Sequence, residues 1–92
     1  MQIVKSKRFN EELESILDFI AKDNLANALY FYDSLILKIE NIINFPKKYK
    51  QCKISDDSSV REMVFKGYVV VYKIYNDKIL IIGIFNQNLW EL

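Results

Sequence analysis

Ninety-two residues, 51% hydrophobic and 14% aromatic with only two glycines and one proline, are enough for one small, densely packed domain and are unlike a disordered chain. The single cysteine, Cys52, excludes an intramolecular disulfide framework, and the absence of histidine removes imidazole acid–base chemistry and His-containing zinc sites. The net charge of +1 is well below that of a typical polyanion binder, but it is unevenly spread.

Lys5, Lys7 and Arg8 make residues 1–10 positive by three charges. Residues 11–44 carry seven carboxylates against Lys22 and Lys38, for −5. Residues 45–66 return to +3 through Lys47, Lys48, Lys50, Lys53, Arg61 and Lys66, and the remainder balances. A basic central segment of this kind suits an acidic partner, or is simply a solvated loop. No apolar leader opens the chain and no apolar run approaches the ~18 residues of a membrane span, so a cytoplasmic protein is expected.

In chain order, Gln2–Lys5 is a short strand candidate. Ser6 follows as a helix N-cap, and Phe9, Leu13, Ile16, Leu17 and Ile20 form one apolar stripe of a helix over Lys7–Ala21. Asp23-Asn24 breaks it. Leu25, Ala28, Leu29, Tyr32, Leu35, Ile36, Ile39, Ile42 and Ile43 then predict a second helix to Asn44, about 30 Å long, ended by Phe45-Pro46. So short a joint makes the two helices antiparallel neighbours.

Lys47–Ser59 is polar and turn-rich, with at most a short strand at Gln51–Ile54. Val60–Phe65, Tyr68–Tyr75 and Ile79–Phe85 are strands, separated by Lys66-Gly67 and Asn76-Asp77 at hairpin spacing. Gly83 marks a bulge or a close approach by another backbone. The sum is a two-layer α+β domain spanning 1–92, with an N-terminal strand and a helical hairpin packed on one face of a mainly antiparallel sheet. The opposite face, the basic connection and the tail are left for a partner.

The ordered set of pieces resembles the RelE/ParE superfamily of type II toxin–antitoxin toxins, in its ParE-like, plasmid-stabilisation branch. The resemblance rests on Phe9-Asn10-Glu11-Glu12-Leu13 and the helix ending in Phe45-Pro46. It rests further on Val60-Arg61-Glu62-Met63-Val64, Gly67-Tyr68-Val69-Val70-Val71-Tyr72 and Ile79 to Gln87. It implies a toxin neutralised by a cognate antitoxin and directed at DNA gyrase. The alternatives are a RelE-like ribosome-dependent mRNA endonuclease and a degenerate, non-toxic homologue. No cofactor, metal or sequence-specific DNA contact is implied.

Arg61 matches the family's middle-strand arginine, but Asn86, Gln87 and Asn88 stand where relatives often carry His or Arg. Amides neither neutralise a phosphate nor exchange protons near neutrality, which favours a non-enzymatic inhibitor over a ribonuclease. The candidate target- or antitoxin-binding residues are therefore Lys47, Lys48, Tyr49, Lys53, Arg61, Lys73, Asn86, Asn88 and Trp90. Lys73 marks the wetter face of its strand, and Trp90 is an apolar anchor near the terminus. No catalytic set is assigned.

Overall fold

The computed structural model describes residues 1–87. Strand β1 (Gln2–Lys5) leads into helix α1 (Lys7–Asp23) and helix α2 (Leu25–Glu40), and a single 3-10 turn follows at Asn41–Asn44. Strands β2 (Val60–Phe65), β3 (Tyr68–Ile74) and β4 (Lys78–Asn86) complete the order. Ser6 caps α1 as its spacing predicts: the Phe9 N–H donates to its Oγ at 3.0 Å. Asn24 serves both helices. Its N–H donates to Ile20 O at 3.0 Å, closing α1, and its Oδ1 receives the Asn27 N–H at 3.1 Å, opening α2. One extended residue between two helices forces the hairpin.

The four strands run in the order β1-β4-β3-β2. β2, β3 and β4 form the antiparallel meander, while β1 joins β4 in parallel, Gln2 opposite Lys78 through Lys5 opposite Ile81. The sheet is thus mixed. Lys66 (φ 48°) and Gly67 (φ 83°) both take the left-handed region, which a two-residue turn of primed type demands between strands β2 and β3. On β4 the partner of Val71 is Gly83 and that of Tyr72 is Ile81, so Ile82 is an extra, bulged residue.

The main core lies between the helices and one sheet face. Phe9 and Leu13 of α1 and Phe31, Leu35 and Ile39 of α2 meet Met63, Phe65, Val70, Tyr72, Ile79, Ile81 and Ile84. The inner stripe of α2 differs from the periodicity reading. Leu25, Leu29 and Tyr32 are exposed, and Phe31 is buried in their place. Apolar residues fill so many positions of α2 that two neighbouring stripes compete. Phe31 wins because its ring meets Phe65 and Tyr68 edge-on, with centroids 5.4 and 5.5 Å away.

The connection after the helices is less free than its composition suggests. The expected strand at Gln51–Ile54 reduces to a bridge between Gln51 and Arg61. It is flanked by bonds from Cys52 N to Val60 O at 2.9 Å and from Glu62 N to Lys50 O at 3.0 Å. This pairing covers the outer edge of β2. It also seats Cys52 in a second small core with Val60, Val69 and Val71, flanked by Ile82 and Phe85. The reverse face, expected to be left for a partner, therefore carries an apolar cluster of its own. No described helix is long and apolar enough to cross a membrane.

Candidate functional site

The basic connection is held to the sheet by side chains that rise from β2 and β3. Arg61, the second residue of β2, lies opposite Tyr72 of β3, so both side chains point to the helix-covered face near the end of the sheet. The Arg61 guanidinium donates from Nε to Ser58 O at 3.1 Å and from Nη1 to Tyr49 O at 3.0 Å. It closes the loop onto itself by holding both of its ends. Among the described residues its bonds go to backbone carbonyls and not to an acidic side chain.

The Tyr72 hydroxyl donates to Pro46 O at 2.7 Å, and the Tyr49 ring stands edge-on to the Tyr72 ring at 6.5 Å. Burial pushes the Tyr72 phenol up to about 12, against a smaller downward pull from the Arg61 charge. The phenol is therefore a neutral donor at physiological pH, not a base.

Two ion pairs complete the clamp. Lys50 Nζ lies 3.2 Å from Oε1 of Glu62, whose side chain is almost fully buried. Lys73 Nζ lies 3.0 Å from Asp57 Oδ2. The Asp57 carboxyl is held down to about 2, chiefly by the Ser59 hydroxyl at 2.7 Å, then by the Ser59 N–H at 2.9 Å and by Lys73. Asp57 in turn raises the Lys73 ammonium above its ordinary value.

The nine predicted residues are thus placed in different surroundings. Lys47, Lys48 and Lys53 are exposed and have no carboxylate partner among the described residues. The Lys48 ammonium sits 5.6 Å from the centroid of the half-buried Tyr49 ring. Arg61 joins this group through the Tyr49 carbonyl. Lys73 reaches the same loop only through Asp57, and its charge is already matched.

Asn86 does not belong with them. It pairs with Tyr68, at the other end of β3 from Lys73, which at about 3.4 Å per residue is roughly 17 Å along the strand. Asn88 and Trp90 lie outside the described residues. Among the described residues no group of three or more Cys, Asp or Glu side chains is arranged to hold a metal.

Three exposures in and around the loop were illegible in the residues alone. Glu62 is buried, Phe45 is exposed at 63% and Ile54 at 54%, so the lysines stand beside apolar side chains. Only the path of the connection across β2 decides these exposures, and no spacing signals it.

A family model described as the ParE toxin of type II toxin–antitoxin systems, parDE, matches residues 3–88 of this chain. Among solved structures the chain is similar to one from the chromosomal ParDE toxin–antitoxin system of P. aeruginosa. The two are 13% identical, with a TM-score of 0.76 over 94% of this chain and 95% of that one. No curated protein matches the sequence significantly. At that identity the structural likeness speaks for the fold, with β1, the helical hairpin and the meander in the same arrangement. The family model, spanning nearly all of the sequence, carries the assignment: this chain belongs to the ParE toxin family of type II toxin–antitoxin systems.

Proposed function

We propose that the chain is a toxin that acts by docking, with DNA gyrase as its target and a cognate antitoxin as its neutralising partner. The observation that carries this reading is the clamped loop 46–59. Arg61, Tyr72, Glu62 and Lys73 are used to hold it, and it turns Lys47, Lys48 and Lys53 outward beside Phe45 and Ile54. Unmatched cations next to apolar side chains on a restrained backbone suit an acidic protein surface, since ordering the loop costs little on binding.

The ribonuclease alternative asks for a proton acceptor for a 2′-hydroxyl, a donor for the leaving oxygen and cations around one phosphate. Tyr72 is held neutral and Arg61 is engaged with two carbonyls. This arrangement supports the docking reading over cleavage.

The test is a pair of assays on the purified chain. Gyrase-catalysed supercoiling should be inhibited, and ribosome-bound mRNA should remain intact. Cleavage of the mRNA without effect on supercoiling would reverse the order of the two readings. Activity in neither assay would leave the degenerate homologue. Inhibition should be relieved by the antitoxin encoded beside the toxin.

A further inference from the structure

The bulge in β4 is where α1 takes over from β1 at the edge of the sheet. β1 accompanies β4 only from Lys78 to Ile81. From there on the edge groups of β4 are met by the backbone and side chain of Ser6 and by a side chain of α1. Ser6 N donates to Ile81 O at 3.0 Å, and Ser6 Oγ donates to Ile82 O at 2.8 Å. The Ile84 N–H donates to Glu12 Oε1 at 3.1 Å. The second oxygen of Glu12 is held by Arg8 Nε at 3.4 Å, and the Arg8 guanidinium lies 5.1 Å from the centroid of the Phe85 ring.

This carboxylate also explains Gly83. A Cβ added there would stand 2.7 Å from Glu12 Oε1 and 3.1 Å from Phe85 Cζ. The backbone of Gly83 is not in the left-handed region, so its role is one of space: an added methyl would displace the Glu12 carboxylate from its present position. The strand therefore has no side chain at the one position where the carboxylate must pass to reach the next amide.

We infer that Glu12 and Gly83 are a reciprocal lock in which the Glu12 carboxylate, admitted by the missing side chain, acts as a positioning residue for the end of β4. It holds the edge of β4 just after the bulge, where Phe85 and Asn86 continue the strand opposite Val69 and Tyr68. The lock lies toward the opposite end of β3 from the clamped loop and stands independently of the docking reading above. Nothing in the spacing of α1 signals this, since Glu12 lies off the apolar stripe beside Glu11 and Glu14.

The experiment is a variant set: Glu12→Ala, Glu12→Gln, Gly83→Ala, and Gly83→Ala in each Glu12 background. Amide exchange by NMR and thermal unfolding are read for each. In Glu12→Ala the Ile84 amide should exchange about 10- to 100-fold faster, the range expected for losing a bond to a charged acceptor. Glu12→Gln keeps an acceptor oxygen and should hold Ile84 near the wild-type rate.

Gly83→Ala should lower the melting temperature in the wild-type and Glu12→Gln backgrounds, and much less in the Glu12→Ala background. Unchanged Ile84 exchange in Glu12→Ala would overturn the lock, as would an equal penalty for Gly83→Ala in all three backgrounds. Growth inhibition is measured in parallel. A wild-type chain that fails to inhibit growth speaks against the toxin reading, while exchange and the coupled variants still decide the lock.

Discussion

Replacing Arg61 with alanine removes two bonds at once, to Tyr49 O at 3.0 Å and Ser58 O at 3.1 Å. Bonds to a charged donor contribute roughly 1.5–3 kcal/mol each when well shielded. Arg61 is half-buried, so its part-buried bond to Tyr49 O takes the low end, about 1.5 kcal/mol, and its solvent-exposed bond to Ser58 O contributes only about 0.5 kcal/mol, about 2 kcal/mol together. At ~2.1 cal/mol/K per residue a domain of this length unfolds with an entropy near ~0.19 kcal/mol/K, so the melting temperature should fall by about 10 °C.

The informative partner is Arg61→Lys. Lysine keeps the charge, but its single ammonium cannot serve two carbonyls that are engaged by different guanidinium nitrogens. It should recover less than half of the loss. Thermal unfolding followed by circular dichroism gives both shifts, and amide exchange across 49–58 should quicken in both variants. Full recovery by lysine would show that charge alone matters and would refute the clamp. An unchanged melting temperature in Arg61→Ala would refute it more directly.

The joint change of Lys47, Lys48 and Lys53 to glutamate should leave stability within about 0.5 kcal/mol, as these side chains have no carboxylate partners among the described residues. It should slow association with an acidic partner and reverse the salt dependence, read by stopped-flow or surface binding at two ionic strengths. Stability should fall on acidification between about pH 4 and pH 2. The Asp57 carboxyl titrates lower in the folded chain than in the unfolded one, so its contribution is present above the unfolded value and lost as pH drops through the folded one. Asp57→Asn should flatten that part of the profile in denaturant titrations.

At the alkaline end the raised Tyr72 phenol gives the opposite slope, with stability lost as pH climbs from about 10 to about 12, and Tyr72→Phe should remove it. Phe31→Ala should cost about 3–5 kcal/mol, whereas Leu29→Ala, at a position 59% exposed, should cost well under 1 kcal/mol. Equal costs in chemical denaturation would mean that α2 is rotated otherwise.

Local chemistry settled much of the architecture before any packing was considered. Ser6 and Asn24 fix where the helices begin because their oxygens satisfy amides that a helix leaves unpaired. Lys66-Gly67 fixes the β2–β3 turn because only a short left-handed pair fits the twist of the strands. Alternation along Tyr68–Ile74 sorts Val70 and Tyr72 from Val69 and Val71 correctly. These are short-range effects, and sequence neighbours are enough to express them.

What depended on distant residues was decided only by the fold. The face of α2 that is buried turned on whether Phe31 could meet Phe65 and Tyr68. The basic connection reads as a free loop until Arg61, Glu62, Tyr72 and Lys73 are brought under it, and the reverse of the sheet reads as bare until Cys52 is placed there. Glu12 and Gly83 are 71 positions apart, and neither has any local signature. Side-chain bonds that join remote segments leave no period or spacing in a sequence, because each partner satisfies the other only after the chain has closed.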